Sequence, residues 1–131
     1  KENASLHGVE NQISFILGDG ITPLRSLEPF DIICSNPPYI PDAEMETLAP
    51  NVKNWEPTLA LSGGSDGLHL IAPMLRDAPQ CILSGGMLLI ELATSKAEEV
   101  LRLAQENLDL EDCKILRDRF GDNRFLRATR R

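Results

Sequence analysis

Hydrophobic positions along this chain fall into short runs separated by turn-forming residues. Residues 1–8 read as the end of a helix, stopped by Gly8. Ile13-Ser14-Phe15-Ile16-Leu17 reads as a short strand that ends at the turn Gly18-Asp19-Gly20. Phe30-Asp31-Ile32-Ile33-Cys34-Ser35 is a second strand and runs straight into Asn36-Pro37-Pro38-Tyr39. Residues 40–65 carry many Pro, Asn and Gly and predict a long loop with room for one helical turn. Asp66 is placed to cap a helix through Gln80, which Pro73 and Pro79 would kink or end. After a Gly85-Gly86 turn, Met87-Leu88-Leu89-Ile90-Glu91-Leu92 is almost wholly apolar, the pattern of a strand covered on both faces. Ser95 is placed to cap a helix from Lys96 to Asn107, with Val100, Leu101 and Ala104 along one face. Two last strands, around Cys113–Arg117 and Arg124–Ala128, are joined through Phe120-Gly121-Asp122-Asn123, which suggests a hairpin.

Strands alternating with helices argue an α/β fold with a largely parallel sheet, closed here by an antiparallel hairpin. No repeat or linker divides the chain, so residues 1–131 form one domain. Ligands in such sheets sit beyond the carboxyl ends of the strands. The two most polar strand ends are Gly18-Asp19-Gly20 and Asn36-Pro37-Pro38-Tyr39.

Composition narrows the class. With 131 residues, 42% hydrophobic and 25% charged, the chain has the makeup of one modest globular domain. No apolar run reaches the ~20 residues that cross a bilayer, so no membrane segment is expected. The chain opens Lys1-Glu2-Asn3, without Met or a leader, and reads as a piece of something longer. The net charge of −7 repels phosphate backbones, and Arg127, Arg130 and Arg131 form only a small solubilising tail, so no nucleic-acid partner is expected. Cys34, Cys81 and Cys113 are odd in number, widely spaced and set among apolar neighbours, which predicts buried, reduced thiols in a cytoplasmic protein. His7 and His69 have no Cys or carboxylate at ligand spacing, so no metal site is expected. Asp42, Glu44 and Glu46 make an acidic, solvated loop that could also contact a protein. Glu56 reads as a brace for that loop, and Glu91 either reaches a pocket or faces solvent.

Asn36-Pro37-Pro38-Tyr39, directly after an apolar strand, carries the chemistry. Consecutive prolines join neither ladder nor helix, so they hold the backbone extended and leave nearby carbonyls without partners. Asn36 brings an amide that donates and accepts, and Tyr39 brings a flat face with a polar tip. Together they can grip a planar –NH2 group, carbonyls accepting its hydrogens while the ring packs over its plane. Such a nitrogen is a poor nucleophile because its lone pair is delocalised. Accepting its N–H bonds orients it and favours the charge that develops as it attacks an activated methyl group.

These residues resemble motif IV of the amino methyltransferases. With Ile40, Trp55-Glu56-Pro57, Ala60-Leu61, Gly63-Gly64-Ser65-Asp66-Gly67-Leu68, Gly86-Met87-Leu88-Leu89-Ile90-Glu91 and Phe120-Gly121-Asp122-Asn123-Arg124, the whole chain is similar to the release factor glutamine methyltransferases. The resemblance implies a Rossmann-like class I methyltransferase sheet. It also implies methyl transfer from S-adenosylmethionine to the side-chain amide of a glutamine in a Gly-Gly-Gln loop of a peptide chain release factor. By position, Asn36 would bond the amide and lie near the methionine end of the cofactor, Pro37 and Pro38 would offer carbonyls, and Tyr39 would pack beside the amide. Asp19 matches the residue that meets the adenine amino group. Gly20 stands where the family often has an aromatic ring against adenine.

The family's glycine-rich cofactor loop and ribose-binding acid have no counterpart here. Gly18-Asp19-Gly20 and Ser62-Gly63-Gly64-Ser65-Asp66-Gly67 read as turns. The resemblance thus implies a truncated catalytic domain without the family's first two strands, inactive and poor at binding cofactor by itself. Exposed edges and apolar faces would then favour self-association. Two other readings share the residues: an N6-adenine DNA or RNA amine methyltransferase, and a non-catalytic remnant that binds protein through residues 40–65.

Overall fold

The computed structural model describes all 131 residues. Its centre is a mixed four-stranded sheet of β1 (Phe30–Ser35), β2 (Ile82–Glu91), β3 (Leu110–Arg117) and β4 (Asn123–Arg130), in the order β1-β2-β4-β3. The helices are α1 (Glu2–Leu6), α2 (Pro50–Lys53), α3 (Thr58–Leu61), α4 (Ile71–Asp77) and α5 (Ala97–Glu106), with short 3₁₀ turns between them. The fold is α/β.

The sheet is mixed. β1 pairs with β2 in parallel, but β4 inserts between β2 and β3 and runs antiparallel to both. Three strands therefore share a direction while two of the three pairings are antiparallel. A tight connection, Asp118–Asp122, returns β4 beside β3, and β4's other edge then takes the place next to β2. The hairpin strands also extend beyond the apolar residues that mark them in the sequence.

Alternation along the strands sorts side chains onto two unequal faces. Ile33, Leu88, Ile90, Leu126 and Ala128 are buried under α4 and α5, with Ile71, Leu75, Val100 and Ala104 closing the core. On the other face Met87, Leu89 and Glu91 remain half-buried and Cys34 is exposed. The apolar run of β2 is thus covered on one face only, and the expectation of three buried thiols fails at Cys34, whose position in β1 points away from the core. Cys81 is buried and Cys113 half-buried, and all three are free.

Four local expectations also change. Ile13–Leu17 forms no strand: it is largely apolar, but it has no regular structure and none of its backbone groups joins a ladder. A lone strand gains nothing without a neighbour, and Leu17 is fully exposed. The helix expected from Asp66 starts instead at Ile71, because the Asp66 carboxylate accepts the Leu68 N–H within the loop, 2.9 Å. Pro73 sits in the first turn of α4, where its missing N–H costs little, and Pro79 falls in the 3₁₀ turn that follows. Gly85 and Gly86 lie inside β2 as a bulge rather than before it, Phe30 pairing with Ile82 and Ile32 with Met87. Ser95 lies in a 3₁₀ turn and makes no cap bond to α5. No helix is long and apolar enough to cross a membrane.

Candidate functional site

The site grows from the carboxyl end of β1. The ladder to β2 ends with Ser35 opposite Ile90, and Pro37 and Pro38 prevent it from continuing. The chain then turns away, and no hydrogen bond within the protein ends on the carbonyls of Asn36, Pro37 or Pro38. The amide of Asn36 likewise has no side-chain partner and is exposed. Three backbone acceptors and one amide therefore have no hydrogen-bond partner within the protein.

What fixes this loop is the segment read from the sequence as a mere turn. Ile40 N–H donates to Leu61 at 3.0 Å, Gly63 N–H donates to Ile40 at 2.8 Å, and Asp42 N–H donates to Gly64 at 2.9 Å. The Ser62 hydroxyl donates to the Asp42 carboxylate at 2.6 Å. Gly63 and Gly67 let this strap lie against Tyr39. A Cβ at Gly67 would stand 2.5 Å from the Tyr39 carbonyl oxygen, and one at Gly63 would stand 2.8 Å from Tyr39 Cα. Gly67 also has φ +79°, open to glycine at little cost.

Alternation at the end of β1 sends the motif into two cavities. Pro37 is buried and lines the first, of about 460 Å³, with Asp19, Gly20, Ile21, Leu24, Ile33 and Met74. Asn36 opens onto the second, of about 240 Å³, with Leu89, Glu91 and Phe125. Cys34 and Ser35 line both. Asp19, Gly20 and Pro37 are therefore brought together, whereas Asn36 faces the neighbouring cavity and Pro38 lines neither.

Tyr39 is half-buried, and its hydroxyl donates to Glu91 Oε1 at 3.3 Å. Burial, and then the Glu91 charge, push the phenol above its ordinary value, while Arg124 pulls the other way. Glu91 thus faces the motif. His69 lines the first cavity beside Pro37, a place that ligand spacing in the sequence does not indicate. Its place depends on the Gly63 strap, whose carbonyl accepts the His69 N–H at 2.9 Å, and no periodicity announces it. No group of three His, Cys, Asp or Glu side chains converges to hold a metal ion.

No protein-family model matches the chain. It is similar to release factor glutamine methyltransferases along almost its whole length. It is 35% identical to that of Gloeobacter violaceus over 124 residues, which is 95% of this chain and 43% of that protein. With the Geobacter sulfurreducens protein it shares 39% over 126 residues, 96% of this chain and again 43% of the relative. With that of Synechocystis it shares 37% over 129 residues, 98% and 43%. The chain thus spans less than half the length of the curated relatives it matches.

Proposed function

We propose that this relative of the release factor glutamine methyltransferases is the carboxyl-terminal part of an S-adenosylmethionine-dependent N-methyltransferase, and that its target is the amide of a release-factor glutamine. The observation that carries the reading is the row of unpartnered carbonyls at Asn36, Pro37 and Pro38, set beside the free Asn36 amide. An –NH2 group laid there finds acceptors for both hydrogens, and Tyr39 supplies a neutral face rather than a base. Relatives that carry the name of this activity, at 35–39% identity, support the same reaction.

The first cavity fits one end of S-adenosylmethionine. A volume of about 460 Å³ is within the range of small-molecule sites, and Ile21, Leu24, Ile33 and Met74 give it an apolar wall. Asp19 stands at that wall as an acceptor for an adenine amino group, and Gly20 leaves the stacking position open. The chain provides no glycine-rich loop and no ribose-binding acid. When bound, the cofactor supplies an electrophilic methyl group. The chain's own residues orient the nitrogen: Asn36 and the proline carbonyls accept its N–H bonds and stabilise the partial positive charge on it as it attacks. The proton lost from the methylated amide passes to water.

In the relatives' fold, two further strands would pair along the free edge of β1. Residues Gln12, Ser14 and Ile16 and that edge flank a gap of about 760 Å³, lined also by Leu27, Phe30 and Ile32, which supports this arrangement. Asn36, Pro37, Pro38 and Tyr39 serve the amide, and Asp19, Gly20 and Asn36 the cofactor. The partner is a peptide chain release factor in the cytoplasm.

Calorimetry with S-adenosylmethionine tests the reading on this chain and on a form extended at its amino terminus by the corresponding segment of a relative. Binding by the extended form alone, with methyl transfer to a release factor, is the expected result. Micromolar binding by the 131-residue chain would overturn the incomplete-pocket argument. Methylation of adenine in DNA, with none of release factor, would move the target to a nucleobase.

A further inference from the structure

Insertion of β4 beside β2 has a local consequence at the motif. Phe125 pairs with Glu91, so Arg124, one residue earlier, arrives at the carboxyl end of β2. Tyr39 reaches the same spot from the loop after β1. Three elements distant in sequence thus converge a phenol, a carboxylate and a guanidinium beside the unpartnered carbonyls. Arg124 is held in turn: it pairs with Asp118 at 3.6 Å and donates to the Leu92 carbonyl at 3.5 Å. Asp118 accepts the backbone N–H bonds of Phe120 and Asp122, at 2.8 and 3.1 Å.

We infer that Glu91 is the positioning residue of Tyr39, fixing the ring beside the carbonyls of Asn36, Pro37 and Pro38, with Arg124 bounding the hydroxyl from the β4 side. A ring that packs over a planar amide must hold one orientation, yet the terminal torsion of a tyrosine is soft. A carboxylate accepting the hydroxyl hydrogen anchors the tip of the ring and so holds χ1 and the ring's place, leaving its packed neighbours to set the plane. Burial, and after it the Glu91 charge, raises the phenol above its ordinary value, in keeping with an uncharged ring face. The charged groups that bear on it are Glu91 from β2 and Arg124 from β4. The contact stands on geometry alone; its catalytic consequence rests on the methyl-transfer reading.

Tyr39 is the only tyrosine of this chain, so the ultraviolet absorbance of its phenolate reports this group without interference. In the 131-residue chain, Glu91→Gln should lower the titration midpoint and Arg124→Gln should raise it. In the amino-terminally extended form, Glu91→Ala should reduce kcat towards a release factor about tenfold with KM little changed, and Glu91→Gln should restore most of it. A midpoint unchanged in both Gln variants, with wild-type circular dichroism, overturns the contact whatever the methylation assay gives. A shifted midpoint with full turnover in Glu91→Ala overturns the positioning role. An extended wild-type form that methylates no release factor removes the reaction and this catalytic consequence, while the titration still decides the contact.

Discussion

Ile13-Ser14-Phe15-Ile16-Leu17 and Met87-Leu88-Leu89-Ile90-Glu91 are runs of comparable length and strand character, yet they end in opposite environments. The second lies between β1 and β4, with Leu88 and Ile90 wholly buried. The first has no ladder, and Phe15 is half exposed. The difference is one of neighbours rather than of residues. Strand propensity expresses the fit of a side chain to a pleated, half-buried surface, and it yields nothing where no second strand and no covering helix stand alongside. The carboxyl-terminal region, from α4 onward, supplies both; the first 29 residues supply neither to that run.

The sharpest way to break this comparison is to cut a side chain from each region. Ile90→Ala should cost about 2–5 kcal/mol by leaving a cavity between α4, α5 and the sheet, read as a lower midpoint in urea. A loss below about 1 kcal/mol would mean that this core is loosely packed. Next in size, Gly67→Ala should cost about 1–3 kcal/mol, through a left-handed backbone and the Tyr39 carbonyl. It should also weaken S-adenosylmethionine-dependent methylation by the extended form, because the strap that shapes the motif must shift. Leu17→Ser should change stability by less than about 0.5 kcal/mol while reducing self-association in sedimentation, since it removes exposed apolar surface. Greater self-association in that variant would show that Leu17 already has a partner.

The smallest effect is with pH. Burial pushes the Cys81 and Cys113 thiols and the Tyr39 phenol above their ordinary values, so folding favours the protonated forms. Their contribution is fully present below the unfolded values, 9.0 for a thiol and 10.0 for the phenol, and is lost as pH rises through the higher folded values. Unfolding followed from pH 8 to 11 should therefore show stability level at first and then falling. Tyr39 and Cys113 owe their shifts to no charge in the first 29 residues, whereas Arg25 pulls the Cys81 thiol down, so trimming that region should alter only the Cys81 part of the alkaline profile.

The same contrast explains what could be read from residues alone. β1 was legible to its last residue because apolar Phe30–Cys34 runs into two prolines that admit no other continuation. The hairpin was legible from Phe120-Gly121-Asp122-Asn123, and Asn36–Tyr39 from the groups that two prolines leave without partners. Burial of β2 on one face only was not legible, because composition reports how apolar a strand is and not how many layers cover it. Nor was the work of Gly63 and Gly67, which read as a turn while their missing side chains seat the motif. Glu91 stood open between solvent and pocket because the answer depends on which strand lies beside β2, and that is decided by β4, the last in sequence.

The place of β4 also sets an order of assembly. β3 has no bond to β2 and can join the sheet only through β4, although β4 is made after it. β1 and β2 pair across the long crossover between Ser35 and Ile82, whereas β3 and β4 pair through a short turn, so the hairpin is the more local unit and meets the rest of the sheet through the β2–β4 pairing. Closure of the core by Leu126 and Ala128 and arrival of Arg124 beside Tyr39 thus depend on the same β2–β4 pairing. The motif takes its final shape only when the sheet does.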